Sequence, residues 1–452
     1  MSDQPSPTVM WFRRDLRLGD SPALLEACHD SAGVLLLFVV DPRLWGPAGP
    51  SRRAYLTASL AALDESVGGR LVVRHGDPAR EVPRAAAEVG AEVVHVAADY
   101  GPYGSRRDAA VEEALRDHGV ELRRTGSPYA VAPGRVVNGS GEGYKVFTPF
   151  AKAWADHGWR APAGRPAPEQ CWLDAPSEGL PETPLPEGLA LPPAGEAAAH
   201  ERWEAFLEHV DEYDAQRDRP DLDGTSRMSV HLKWGEIHPR TLLADLGRKR
   251  STGASTYRSE LAWREFYADV LQRRPDSARE YFRPEFARME YDDPGGDFTA
   301  WQEGRTGFPV VDAAMRQLRA TGWMHNRARM IVASFLVKDL HVEWQHGARH
   351  FMHWLVDGDL ASNQHGWQWV AGCGTDAAPY FRVFNPTSQG QKFDPAGDYV
   401  RRWVAELADV DKAYIHEPST RPGGVPEGYP PPLVDHAEER REALARLERM
   451  KS

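Results

Sequence analysis

Four segments of this sequence carry side chains whose types and spacing could grip a ligand. The first is Glu212-Tyr-Asp-Ala-Gln-Arg-Asp218, followed by Gly224-Thr-Ser-Arg-Met-Ser-Val-His-Leu232. Thr225, Ser226 and Ser229 crowd hydroxyls and backbone N–H groups at an expected helix start, where orphan donors and the positive dipole end suit a phosphate. A well-capped helix with no ligand explains the same residues. The second is Ser259-Glu-Leu-Ala-Trp-Arg-Glu-Phe-Tyr-Ala-Asp-Val-Leu271, which includes Arg264. Trp263, Phe266, Tyr267, Val270 and Leu271 recur at helical spacing. Glu260 and Trp263 then share one face one turn from the helix start, an acid beside an aromatic platform able to hold a nucleobase. A core helix with a capping Glu is the plainer alternative.

The third segment, Phe308 to Leu340, reads as two helices hinged at Thr321-Gly322, with Asn326, Arg329 and Met330 within one turn. Arg316, Arg319, Arg327 and Arg329 bring positive charge, although charged helices usually face solvent. The fourth runs from Leu355 to Pro386 and compresses Asp357, Asp359, Asn363, Trp367 and Trp369 into one short Gly-rich stretch where backbone can approach a ligand. A polar loop with packing aromatics accounts poorly for that density. Asp357 and Asp359 lack a third carboxylate or paired His for a metal. His341, His346, His350, His353 and His365 do not fall at zinc spacings, so no metal is expected.

These segments need elements to position them. From Thr8 to about Thr125, apolar runs at Val9–Phe12, Val34–Val40, Leu71–Arg74, Val93–Ala97 and Val120–Arg123 alternate with helical stretches such as Ser21–Asp30, Arg53–Ser66 and Pro78–Val89. That pattern predicts a doubly wound parallel sheet. No GxGxxG follows the first strand, so an NAD(P) role has no support. Residues 160–196 are Pro- and Gly-rich and aperiodic, a surface connection. From Ala197 to about Leu407 the pattern is helical, and eight of the 15 Trp fall between Trp263 and Trp403. A charged helix is expected over Asp435–Lys451. The expected partition is an α/β domain over 1–130, an interdomain linker over 131–200 and an all-α domain over 201–452.

Composition narrows the function classes. A chain of 452 residues with 41% hydrophobic content can bury more than one core. No apolar run reaches the roughly 20 residues of a membrane span, and the opening MSDQPSPT lacks a signal-peptide pattern. Cys28, Cys171 and Cys373 are too few for a disulfide framework or an iron–sulfur site. A cytoplasmic, monomeric protein is expected. The net charge of −12 argues against indiscriminate nucleic-acid binding, yet local Arg/Lys fields decide DNA affinity.

The four blocks, in this order, together with the opening Trp11-Phe-Arg-Arg-Asp-Leu-Arg-Leu-Gly-Asp20, resemble the photolyase/cryptochrome family. The resemblance covers nearly the whole chain, is least in the linker and is most specific from Trp301 to Trp369. It implies a Rossmann-like antenna domain of α/β type, a helical domain enclosing FAD, and a class I repair enzyme for cyclobutane pyrimidine dimers. By that resemblance Tyr213, Thr225, Ser226, Arg227, Met228, Ser229 and Arg264 serve the FAD site, with Arg329, Asp357 and Asp359 beside its ring system. Asn363 matches the position facing flavin N5, where a neutral amide favours a repair enzyme over a plant-type cryptochrome. Glu260, Trp263, Asn326, Met330 and Trp369 match the dimer pocket. The (6-4) photolyases carry His where Asn326 and Met330 stand, so cyclobutane dimers, which need an electron and no compulsory acid, are the expected substrate. Glu260 is expected to be protonated, donating a hydrogen bond to the dimer.

The resemblance also implies a photoreduction chain of Trp367 and Trp344, with Tyr291 at the surface position by ungapped counting and Trp301 as a nearby substitute. Arg217, Arg327, Arg382 and Lys392 are the expected phosphate contacts on DNA. Pro102-Tyr103-Gly104 resembles members that bind 8-hydroxy-5-deazaflavin, preferred here over methenyltetrahydrofolate as antenna. The alternatives are a cryptochrome-type photoreceptor without repair activity and a generic two-domain nucleotide-binding protein.

Overall fold

A computed structural model describes residues 6–29, 31–376 and 381–452. Asp30 of the expected first helix, residues 1–5 of the opening and residues 377–380 of the fourth block lie outside the described residues. The chain divides into two compact units, one of residues 1–186, 192–211 and 226–275, the other of 187–191, 212–225 and 276–452.

The first unit is built on five parallel strands: β1 (Thr8–Phe12), β2 (Val34–Val40), β3 (Leu71–His75), β4 (Val93–Val96) and β5 (Glu121–Arg124). They lie in the order β3-β2-β1-β4-β5. Every residue of β1 and β2 is buried, because the crossover helices cover both faces of the sheet. Alternate residues feed opposite cores. Val9, Trp11, Leu35 and Leu37 pack with Val82 and Val111, while Met10, Phe12, Leu36 and Phe38 pack with Leu24, Leu60 and Leu63. Each such fully buried aliphatic contributes about 1.5–3 kcal/mol. The expected doubly wound sheet is present, and its strands match the expected runs to within a residue or so.

Proline-rich composition becomes helix starts rather than loops. Pro22, Pro50, Pro78, Pro102, Pro239, Pro309 and Pro386 each open a helix, where a missing N–H costs nothing and the fixed φ is already helical. The aperiodic stretch after residue 160 serves the sheet: Glu178 N donates to Val73 O at 2.8 Å and Val73 N donates to Ser177 Oγ at 3.0 Å, pairing the otherwise open edge of β3. A further helix, Phe147–His157, lies upstream of it.

The second unit is helical. Its core gathers Trp301, Trp344, Phe335, Phe351 and Trp367 between the helices Pro309–Thr321, Asn326–Lys338, Trp344–Trp354 and Leu360–Ala371. The expected hinge is a helix break, with Gly322 in the left-handed region at φ +64° and its N–H bonded to Leu318 O at 2.9 Å. The helix His436–Lys451 begins at Asp435, which accepts from Ala437 N and Glu438 N, as its charge pattern predicts. Among the described residues no helix is long and apolar enough to cross a membrane.

Candidate active site

Residues 225–229 do not form the capped helix start expected of them. The helix is Ser229–Trp234, its N-cap is Met228, and no side chain caps it. Ser226 Oγ is engaged with the Tyr257 hydroxyl at 2.7 Å and accepts from Met228 N at 3.2 Å. The distinguishing feature is instead Arg227, held at φ +55°. A left-handed non-glycine residue costs roughly 1–2 kcal/mol, and such strain gathers at ligand clamps.

Glu260 and Trp263 lie on the long helix Thr252–Arg273, capped by Ser251. Both stand about two turns or more inside it, not one turn from its start, which removes the capping-Glu reading. They are half-buried. One face of Trp263 is covered by Phe147, stacked at 3.7 Å and 8°, so only its other face is open to a ligand. Arg264 donates to Pro128 O and Leu232 O, both at 3.2 Å, and lies 4.6 Å over Tyr129.

The same helix carries two buried acids that the sequence reading passed over. Glu265 accepts from Trp154 Nε1 at 2.6 Å, Ala130 N at 2.5 Å and Val131 N at 3.0 Å. Burial pushes its carboxyl above the usual range against those three donors. Asp269 accepts from Gly134 N at 2.6 Å and Arg273 Nε at 2.8 Å. Together they pin the 130–134 segment to the helix. An i, i+4 acid pair among core-facing positions was the available signal.

At the ends of β1 and β4, where strand order reverses, a charged cluster surrounds Trp11. Arg13 and Arg107 lie 4.7 and 5.1 Å over its ring, and both bond Asp108, at 2.7 and 2.8 Å. Burial works to raise the Asp99 carboxyl, yet Arg14, Arg107 and Arg13 hold it well below the usual range. Tyr103 donates to Asp41. A Cβ at Gly104 would fall 2.1 Å from the Asp99 carboxylate, so a side chain there would have to displace that acid from its arginine partners. Doubly wound sheets bind ligands at this topological switch point.

In the second unit, Arg329 donates to Asp357 Oδ2 at 2.8 Å and to Met324 O at 2.8 Å. Asp357 is 5% exposed, and its Oδ1 is buried with no hydrogen-bond partner. Asp359 caps Leu360–Ala371 by accepting from Ser362 N at 3.0 Å, and Asn363 Nδ2 donates to Ala348 O at 3.2 Å. One aspartate is thus paired and the other caps a helix, and among the described residues there is no group of three or more His, Cys, Asp or Glu that could hold a metal ion. Asn326 is exposed at the first position of its helix, whose cap is His325, and Met330 and Trp369 are half-buried. Tyr213 is buried beneath Arg217, 5.8 Å from its ring; Thr225 lies in the same unit.

Trp344 and Trp367 are buried, and the indole N–H of each lacks a partner. Trp367 packs edge-on to Phe351 at 4.9 Å and Trp301 at 6.2 Å. Trp301, taken from sequence as a substitute for a surface residue, is fully buried and bonds Val332 O at 3.1 Å; that expectation is corrected. Tyr291 is half-buried against this core. Gly347 lets two helices meet here, since a Cβ would fall 2.1 Å from Trp367.

Of the expected phosphate contacts, Arg327 and Lys392 converge on Phe393, at 4.4 and 5.1 Å from its ring. Arg327 is also paired with Asp218 at 2.9 Å. Arg382 is exposed and lies 5.0 Å over Phe384. Arg316 is spent on Glu406 through bonds of 2.6 and 3.0 Å and is no free charge.

Against known proteins, a family described as DNA photolyase matches residues 8–169, and one described as the FAD binding domain of DNA photolyase matches residues 257–449. The deoxyribodipyrimidine photo-lyase of Streptomyces griseus is 44% identical, over 98% of this chain and 99% of that one. A bacterial class III photolyase from Agrobacterium tumefaciens is structurally similar, with a TM-score of 0.92 and 38% identity over 100% of this chain and 99% of the other. A Synechocystis cryptochrome is also similar, with a TM-score of 0.87 and 27% identity over 98% and 100% of the two chains.

Proposed function

The chain belongs to the DNA photolyase family, and on that premise we propose that it is a class I deoxyribodipyrimidine photo-lyase that splits cyclobutane pyrimidine dimers in DNA under blue light. The observation that supports the reading is 44% identity, over 98% of this chain, with a deoxyribodipyrimidine photo-lyase. Class III is the competing sub-class.

The residues present fit FAD. Asp357 offers a buried, unused acceptor oxygen beside a guanidinium that keeps it oriented, which suits an N–H of a flavin ring. Tyr213, Thr225, Arg227, Met228, Ser229 and Arg264, with Ser226, are assigned to the adenosine and phosphate part. Arg329, Asp357, Asp359 and Asn363 are assigned to the ring system. FAD bound there would supply the light-driven one-electron chemistry that opens the cyclobutane ring, with no net change in redox state.

The remaining roles belong to the chain itself. The open face of Trp263 and the ring of Trp369 stack on the everted lesion, each contributing on the order of 1–3 kcal/mol. Flipping out a dimer costs a few kcal/mol, less than for an intact pair, and that difference favours damaged sites. Glu260 donates one hydrogen bond to the lesion. Asn326 and Met330 supply no proton, which fits a reaction with no compulsory acid. Arg217, Arg327, Arg382 and Lys392 position DNA by its phosphates. The switch-point cluster with Gly104 supports an antenna pigment, assigned as 8-hydroxy-5-deazaflavin. The functional partition keeps the antenna in 1–130 and FAD in 201–452, in a monomeric cytoplasmic protein.

A cryptochrome-type photoreceptor shares this architecture. Both would release FAD on denaturation, and the two readings separate in darkness by DNA affinity: the repair enzyme binds a thymine-dimer oligonucleotide at least about tenfold more tightly than its undamaged counterpart. Equal affinity for both would favour the photoreceptor.

A further inference from the structure

We propose that Tyr281, with the Glu343 carboxylate as its proton acceptor, is the terminal electron donor to Trp344. The inference rests on the family reading, by which Trp367 and Trp344 form a photoreduction chain that would pass an electron toward oxidised flavin.

Three observations carry it. The Trp344 and Trp367 indole N–H groups are buried without an acceptor, so an oxidised indole at either position keeps its proton and remains a cation. The Tyr281 ring stands edge-on to Trp344, centroids 6.1 Å apart at 81°. Its hydroxyl donates to Glu343 Oε1 at 2.6 Å, and Glu343 directly precedes Trp344 in the chain. Tyr291 joins the same group from the other side. The two phenols influence each other's titration, and burial pushes both above the ordinary tyrosine range; Asp292 N donates to His341 O at 2.9 Å. The 292 position is further tied down by Arg446, at 3.0 and 3.1 Å. The carboxylate, however, is on Tyr281.

An oxidised phenol must shed its proton, and a buried unpaired cation costs several kcal/mol. Here the electron passes from Tyr281 to the Trp344 cation while the proton passes from Tyr281 Oη to Glu343 Oε1. The products are neutral Trp344, a neutral tyrosine radical and a carboxylic acid. The three groups sum to zero charge before and after, so no buried charge is created. An added thiol later returns a hydrogen atom's equivalent to the radical.

The test is blue-flash transient absorption and electron paramagnetic resonance on the FAD-loaded protein with its flavin oxidised, in water and in deuterium oxide. The wild type yields a neutral tyrosine radical that forms more slowly in deuterium oxide. Tyr281→Phe lowers its yield at least about tenfold and prolongs the tryptophan cation, while Glu343→Gln slows its formation about tenfold. Tyr291→Phe retains it. A tyrosine radical that survives Tyr281→Phe and disappears in Tyr291→Phe overturns the proposal, as does a Glu343→Gln variant of wild-type rate. Undisturbed FAD content in each variant certifies its fold. Absence of tryptophan oxidation in the wild type would overturn the underlying reading and this proposal together, whereas tryptophan oxidation indifferent to Tyr281→Phe sinks the proposal alone.

Discussion

Arg329 holds Asp357 by one oxygen only: Oδ2 accepts the guanidinium at 2.8 Å, while Oδ1 is buried and unpartnered. A carboxylate oxygen left in that state carries a desolvation penalty that a ligand N–H would relieve. Asp357→Asn should therefore weaken FAD binding by about 10- to 100-fold, the worth of a charge-assisted hydrogen bond of roughly 1.5–3 kcal/mol. Titrating apoprotein with FAD and following flavin fluorescence checks it; unchanged affinity would place the flavin elsewhere.

The contact at Gly347 makes a purely steric prediction. Gly347→Ala drives a methyl into Trp367, 2.1 Å away, and Leu336, 2.6 Å away. Overpacking of this kind costs about 1–3 kcal/mol. The variant should melt several degrees lower and show altered near-ultraviolet circular dichroism from the displaced indole. A wild-type melting temperature would mean that the helices Trp344–Trp354 and Leu360–Ala371 are not so closely packed.

His365 sets an acid limit on stability. It is fully buried, with Ser277 Oγ 3.0 Å from Nε2 and Ala361 O 2.8 Å from Nδ1. Burial lowers its pKa from an ordinary 6.5 to about 4. The unfolded chain thus takes up a proton as pH falls through 6.5 while the folded chain resists until about 4. The stability this neutral ring contributes is complete above pH 6.5 and lost between there and 4, up to about 3 kcal/mol. Urea unfolding of His365→Gln should show a shallower decline over that window. A parallel decline would assign the acid limb to other groups.

Phosphate contacts are read by salt. Lys392 and Arg382 are exposed, so Lys392→Ala and Arg382→Ala should each reduce the slope of log affinity against log salt by about 0.9. Arg327 already neutralises Asp218, and Arg327→Ala should change the slope less. Equal losses at all three would deny the pair any influence.

What the sequence made legible follows the reach of local rules. The parallel sheet could be read because β1 and β2 are continuous apolar runs, and the break at Gly322 because a helix there needs a left-handed stop. The neighbourhood of Arg329 and Asp357 was legible only through resemblance. Composition does not say that a residue on a helix meets one in a turn 28 positions later. Three features escaped for physical reasons. Glu260 was placed near a helix start because the capping serine, Ser251, lies outside the apolar-periodic stretch. Ser226 looked like a cap, but its hydroxyl is drawn off by Tyr257, a residue on another helix. Trp301 passed as a surface aromatic, although its N–H has found Val332 O in the core. Each error concerns a partner distant in sequence, which periodicity cannot name.

The most direct measurement is the amount of thymine dimer left in an irradiated oligonucleotide after incubation with the FAD-loaded, flavin-reduced protein, in blue light and in darkness. Dimers should vanish in the light alone, with intact thymines recovered in equal amount. Glu260→Gln should keep most of that yield, and Glu260→Ala should lose about fivefold, a loss matching one hydrogen bond of about 1 kcal/mol. Dimers that persist under light with a full complement of FAD, or that disappear equally in the dark, would contradict light-driven repair.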